Sequence, residues 1–391
     1  MKTEQTDICI VGAGPAGMVL GLLLAQKGIA VTVVESHKDF EREYRGEVLM
    51  PRFTQALQNA GLFADIEKER HLKLRTIEMY FKNWRIASVN FSRICPQTPF
   101  AIWMPQPILL NALYRKAQTY PNFKLLFATT VRSVIKKDGA ITGVAADQQG
   151  EPLEITSKIT IGADGRSSIV RKTAAFKMRY ETYNFDVVWF TVVHPQNYDN
   201  TVRAFFSPNH NYLILPKYPD SVQCGLIVPP GGFTRLRQKG IEALRQELLS
   251  SHSVLHPFAR ELKDFRPFFV LQARIEFVDQ WAKDGCLLIG DAAHTCSPAG
   301  AIGVAVAVET AVNAVPILLE AIKTKNYSAK TLDRLQYLRE KEVLTIHHLQ
   351  RRLTNILFSR IPGFQLLAVA FIFIVGRLGI LARLQRRIAV G

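Results

Sequence analysis

Three acidic residues, Glu35, Asp164 and Asp291, each close an apolar run: "VTVVE", "ITIGAD" and "CLLIGD". A carboxylate at the end of a buried strand can accept hydrogen bonds from the hydroxyls of a ligand lying across the strand ends. The first acid has a companion motif upstream, "DICIVGAGPAGMVLGLLLAQKG". Its spacing predicts a buried strand over 7–11 and a helix over 15–27. Gly12, Gly14 and Gly17 fall in the junction at G-x-G-x-x-G spacing, with Ala16 among them. Gly12 suits a tight turn, Gly14 lets a pyrophosphate approach the backbone, and Gly17 lets the helix pack close to the strand. The first-turn N–H groups then face negative charge at the positive end of the helix dipole. A glycine-rich turn in some other α/β protein would show the same spacing. The strand, the helix and Glu35, at the distance a ribose-binding acid needs, favour a dinucleotide. Because Glu35 would repel a 2′-phosphate, the tightly bound nucleotide is expected to be FAD or NAD, not NADP.

The elements that must carry these residues follow from periodicity. After a second strand at 30–34 come a polar loop and a helix from Pro51, with Gly61 as its C-cap. Residues 76–103 alternate as strands, and 104–118 read as a helix with Pro107 near its start. Residues 124–161 hold several strands, with Asp138-Gly139 marking a hairpin. Residues 180–230 are strand-rich and aromatic, 234–250 read as a polar helix, and strands resume near 268–278. The strand of "CLLIGD" then leads to a long apolar helix over about 302–323. Nucleotide-type elements thus flank a β-rich insert, and a doubly wound α/β sheet beside a separate mixed sheet is expected.

The chain has 391 residues, 48% hydrophobic and 21% charged, as expected of a folded globular protein of up to two domains. Its five cysteines form no C-x-x-C pair, so neither a zinc site nor a disulfide framework is expected, and a reducing cytosol fits. Net charge is +16, but residues 351–391 hold seven arginines and no acid and so account for +7 of it. No nucleic-acid module is visible, and nucleic acid is not expected as a partner. Leu378, Leu381, Leu384 and Ile388 recur at helical steps between Arg377, Arg383, Arg386 and Arg387. Two placements of residues 362–391 stay open: peripheral on an anionic membrane surface, or packed on the body or on a second subunit of a homodimer.

The second and third acids stand in longer motifs, "GADGRSSIVR" and "LIGDAAHTCSPAGAIG". In the second, Asp164 can hold a ribose hydroxyl or a water, and Gly165 permits a turn. In the third, Pro298 and Gly300 shape a loop and Gly303 stands near the start of the next helix. With "GAGPAG" and Glu35, this ordered trio resembles the FAD-dependent aromatic hydroxylases typified by p-hydroxybenzoate hydroxylase, a group that includes ubiquinone-pathway hydroxylases. The resemblance runs from about residue 7 to about residue 345. It implies a Rossmann-like FAD-binding domain with an interleaved β-rich substrate domain and C-terminal helices. The expected divisions are 1–75, 100–178 and 280–345 for FAD, 76–99 and 179–279 for substrate, and 346–391 for a helical tail.

The resemblance also implies that Arg45 in "YRGEVLMP" lies beside the flavin, that Gln106 in "MPQPILLNAL" contacts the adenosine side, and that Asp291 holds a ribitol hydroxyl. Relatives often carry a second glycine or a glutamine, an asparagine and an aspartate where Ala301, Ala305 and Glu309 stand here, which makes flavin reactivity less secure than FAD binding. The implied activity is hydroxylation of an apolar or aromatic small molecule by NADH or NADPH and O2, through a flavin C4a-hydroperoxide. The alternatives are a flavin-dependent reductase of an isoprenoid-type substrate, a halogenase (its W-x-W-x-I-P string is absent) and a lipid-escort protein of the same fold. No catalytic side chain is readable. His294 can tune a proton or serve as a structural loop histidine, and the second is favoured. His210, Tyr212 and Trp189 can line a pocket, though alternating aromatics are more often core.

Overall fold

The computed structural model describes residues 2–41, 47–81, 84–193, 199–206, 211–251 and 253–358. Arg45, His210 and the basic segment 362–391 lie outside them. The chain forms two compact units: Met1–Arg70, Pro105–Glu181 and Ile275–His347 make the first, and His71–Met104, Thr182–Arg274 and His348–Gly391 the second.

The first unit is built on an eight-stranded sheet. Its main path runs Ala282–Lys283, Cys286–Leu288, Glu151–Gly162, Lys2–Val11, Val31–Val34, Phe123–Leu126. Cys286–Leu288, Glu151–Gly162, Lys2–Val11, Val31–Val34 and Phe123–Leu126 are mutually parallel neighbours. The stretches 8–11, Val31–Val34, 159–162 and Cys286–Leu288 are buried without alternation because both faces are covered there. Thr129–Lys137 and Ala140–Gln148 extend the sheet as an antiparallel hairpin. Asp138 and Gly139 both take positive φ there, +52° and +81°, the conformation expected of an Asp-Gly turn.

Helices Pro15–Gln26 and Gly303–Thr324 pack on each other, and Gln106–Ala117 packs on the first of them. Gly303–Thr324 is long and apolar enough to cross a bilayer, but most of it is buried within this unit. Its Glu309 meets Arg52 of helix Pro51–Asn59 and Arg339 of helix Arg334–Leu357, the latter at 2.7 Å. Both arginines also reach Glu342. Arg52 and Arg339 are buried, so two cations and two carboxylates neutralise one another across three helices.

The second unit is a seven-stranded sheet in the order Phe269–Val278, Met178–Val193, Ser221–Val228, Asn211–Lys217, Thr201–Phe206, Thr76–Phe81, Trp84–Asn90. One face carries Val188, Phe190, Ile214, Val222, Cys224 and Leu226 against Phe233, Leu244 and Leu248 of the following helices. The polar helix expected over 234–250 is two helices, Gly232–Gln238 and Ile241–Leu249. Gly240 takes φ +88° between them, a turn that no helix interior holds.

Among the described residues, Arg52→Met leaves Arg339 as the one cation facing both Glu309, which is largely buried, and Glu342. It should cost roughly 3 kcal/mol of unfolding free energy in urea. Lys124→Met, at the exposed pair with Glu4, should cost less than about 1 kcal/mol. Equal losses would show that the three-helix network adds no more to stability than one exposed ion pair.

Candidate active site at the carboxyl edge of the parallel sheet

The strand register decides where the motif residues arrive. Val11 stands level with Val34 on one side and Gly162 on the other, and Gly162 stands level with Leu288. The residues that follow therefore leave the sheet side by side. Gly12 N–H donates to Val34 O at 2.8 Å, Ala163 N–H to Val11 O at 2.8 Å, and Ile289 N–H to Gly162 O at 2.9 Å. Glu35, Asp164 and Asp291 lie one or two residues beyond these bonds.

The glycines allow the loops to touch. Gly12 has φ +103°, and a Cβ there would lie 2.5 Å from Ala163 O; one on Gly17 would lie 2.0 Å from Gly12 O. A Cβ on Gly14 would meet no atom within 4 Å. The backbone at the start of helix Pro15–Gln26 is thus open at Gly14, while its first-turn N–H groups lack intrahelical acceptors. Gly290, at φ +56°, lies against Ala16 and Ala307, 3.3 Å from each by the same measure. The first and third motifs are in contact through Ala16.

Each acid has a defined environment. Glu35 is buried; its Oε2 accepts from Ala13 N–H at 3.0 Å and its Oε1 from His37 N–H at 3.0 Å. Asp164 accepts from Ile169 N–H at 2.7 Å, Val170 N–H at 3.1 Å and the Ser168 hydroxyl, so it closes the turn into the short helix Ile169–Thr173. Burial pushes its pKa up, against the pull of these donors. Asp291 is about one-third exposed and stands 3.5 Å from Arg166 Nε. Its pKa is also pushed up by burial, opposed by Arg166, which describes a carboxylate in a recess rather than on open surface.

Arg171 links the second and third motifs. It is buried, donates from Nη1 to Ala292 O at 3.0 Å and from Nη2 to Arg166 O, and faces Glu276 at 3.5 Å. Neither Arg166 nor Arg171 was singled out from sequence, although both stand in "GADGRSSIVR". The arginine spacing was the available signal.

The remaining expected residues divide. Gln106 is buried at the first position of its helix. Pro298 and Gly300 sit in the loop before Gly303, the first residue of the long helix. Gly300 has φ +87° and Ala301 has φ +52°. Glu309 belongs to the ion network, and Ala305 is buried. Trp189 lies over Gly225, where a Cβ would strike its ring at 2.7 Å. Tyr212 stacks on Phe205 at 4.8 Å and packs against the helix-covered core.

His294 is a buried loop histidine. Its Nε2 lies 3.1 Å from Thr310 Oγ1, and its ring lies 4.7 Å from that of Trp281. Burial, with His347 and Arg339 adding to it, lowers its pKa to about 3. The ring is neutral at physiological pH.

A family model described as an FAD binding domain matches residues 5–340. The 6-methylpretetramide 4-monooxygenase of Streptomyces rimosus is 30% identical over 340 residues, 86% of this chain and 81% of that protein. The 3-demethoxyubiquinol 3-hydroxylase of Escherichia coli is 25% identical over 319 residues, covering 78% and 77%. Among solved structures, p-nitrophenol 4-monooxygenase of Pseudomonas putida DLL-E4 superposes with a TM-score of 0.82 at 19% identity, covering 100% of this chain and 98% of that one. The chain therefore belongs to the FAD-binding-domain family of FAD-dependent monooxygenases, with the p-hydroxybenzoate hydroxylase-like fold. It is an FAD-dependent oxidoreductase.

His294 makes the fold acid-sensitive in a definite direction. Its folded pKa is depressed from 6.5 to about 3, so below about pH 6.5 the unfolded chain takes up a proton that the native chain refuses. Stability from this group is constant above that pH and falls by up to about 1.4 kcal/mol per unit down to about pH 3. The raised pKa values of Asp164 and Asp291 act oppositely, so the comparison needs a variant. Between pH 7 and pH 4 the wild type should lose more unfolding free energy than His294→Gln. Parallel curves would refute the buried neutral assignment.

Proposed function

We propose that this protein hydroxylates an apolar aromatic small molecule, using FAD, NADH or NADPH as transient reductant, and O2. The observation that carries the reading is the arrival of Gly12–Gly17, Glu35, Asp164 and Asp291 side by side at one edge of the parallel sheet. The residues fit the cofactor. Gly14 leaves the backbone open where the helix N–H groups lack acceptors, which suits a pyrophosphate. The names of the two curated relatives, a 6-methylpretetramide monooxygenase and a demethoxyubiquinol hydroxylase, support an aromatic or quinol-type substrate.

In this reading the backbone of Gly12, Gly14, Ala16 and Gly17 holds the pyrophosphate. Glu35 accepts from the adenosine ribose hydroxyls, and Gln106 lies on the adenosine side. Asp164 braces the turn beside Gly12 and orients a ribose hydroxyl or a water. Asp291, held by Arg166, accepts from the ribitol chain. Pro298 and Gly300 shape the loop that delivers Gly303, and the open N–H groups there favour negative charge on the ring. When bound, the cofactor supplies electron transfer to O2 and oxygen activation. The protein's own part is to bind, orient and exclude water.

Glu35→Ala should weaken FAD binding about tenfold or more, since it removes charge-assisted hydrogen bonds, and fluorescence titration of the apoprotein reads this directly. The purified wild type should be yellow. Substrate-dependent oxidation of NADH or NADPH, with O2 uptake and hydrogen peroxide counted separately, tests the reaction. A flavin-loaded protein whose product forms equally well without O2 would overturn hydroxylation while leaving FAD binding intact.

A further inference from the structure

His294 and Thr310 lie on opposite sides of the same junction. His294 follows the Asp291 turn, and its N–H donates to Gly290 O at 2.9 Å. The next residue, Thr295, pairs with Glu276: its N–H donates to Glu276 O at 2.8 Å, and its hydroxyl accepts from Glu276 N–H at 2.6 Å. Thr310 lies two turns into helix Gly303–Thr324, one turn beyond Ala307, the residue that abuts Gly290. The helix face that touches the Asp291 turn therefore also receives the His294 ring.

The direction of the hydrogen bond follows from proton counting. The Thr310 hydroxyl donates to Val306 O at 2.8 Å. A hydroxyl has one proton, so Thr310 Oγ1 must accept from His294, which fixes the Nε2–H tautomer. Nδ1 then carries a lone pair and has no partner among the described residues. The chain of donors runs one way, from imidazole to hydroxyl to helix carbonyl. It ties the turn carrying Asp291 to the helix whose first residue is Gly303.

We propose that the His294–Thr310 hydrogen bond is a positioning element for the flavin: it sets the separation between the Asp291 turn and the start of the long helix, and through it the environment of the ring. The inference rests on the FAD reading above. His294 does not exchange protons with substrate; it is a positioning residue acting through Asp291 and the helix N-terminus. The sequence gap of 16 residues between the two partners encloses Pro298, Gly300 and Gly303, so the bond closes the base of the loop assigned to the ring system. The approach of Gly290 to Ala307 at the same junction is apolar and has no directional preference, whereas the hydrogen bond has one.

The test compares Thr310→Val, isosteric but unable to accept, with Thr310→Ser, which keeps the hydroxyl. FAD affinity of the apoprotein and the visible absorbance and circular dichroism of the bound flavin are read alongside thermal stability. Thr310→Val should bind FAD about tenfold more weakly, a factor equal to about 1.4 kcal/mol, with an altered flavin spectrum, and Thr310→Ser should match the wild type within about twofold. His294→Phe/Thr310→Val removes both partners and leaves no stranded N–H, so it should regain stability while the spectrum stays altered. This double variant carries the test if Thr310→Val does not fold. Wild-type affinity and spectrum in Thr310→Val, or their recovery together with stability in the double variant, would overturn the proposal. Failure of the wild type to take up FAD would instead overturn the cofactor assignment.

Discussion

Backbone contact between two strand-to-loop junctions governs the rest of this structure. Gly12 reaches so near Ala163 that a single added carbon would lie 2.5 Å from its carbonyl oxygen, and the helix behind sits closer still to Gly12 through Gly17. No side chain can be interposed. The spacing follows from the parallel ladder, because strands joined by evenly spaced hydrogen bonds deliver their last residues in a row. Once Val11, Val34, Gly162 and Leu288 are level, four junctions spread over more than 270 residues of chain must share one edge.

The acids at that edge differ in what holds them. Asp164 is held by backbone donors of the helix it caps, so it is primarily a fixed part of the turn beside Gly12. Asp291 is held by one arginine and remains partly open. Glu35 lies between these cases: it is buried, yet it braces the glycine loop through Ala13 N–H. A carboxylate has several lone-pair sites, so bracing a loop and accepting a ligand hydroxyl are compatible. Arg171 completes the arrangement by satisfying carbonyls of both the second and third motifs from a buried position.

The second unit shows how one sheet serves two purposes. Neighbouring strand residues point to opposite faces. Tyr212 and Phe205 lie with the helix-packed core, while Trp189 lies on the other face above Gly225. Aromatic residues of similar appearance in sequence are thereby separated onto the two faces of one sheet. Pairing register makes that separation, since Trp189 is level with Gly225 and Tyr212 is level with Leu226.

Local patterns were enough for much of this protein. The glycine spacing, the acids closing apolar runs and the Asp138-Gly139 turn are decided by residues a few positions apart, where backbone sterics act directly. The long helix was legible for the same reason, as was a dinucleotide; the choice of FAD over NAD came from the resemblance of the three ordered motifs to a known family. What sequence could not show depends on residues that meet only after packing. Arg52 and Glu309 are 257 positions apart, and nothing local marks either as buried. The break at Gly240 was hidden by helical periodicity on both sides. The tautomer of His294 depends on a threonine hydroxyl already committed to its own helix. Tertiary structure decided these because burial and hydrogen-bond direction are properties of an enclosed site, which no single segment has before the chain is folded.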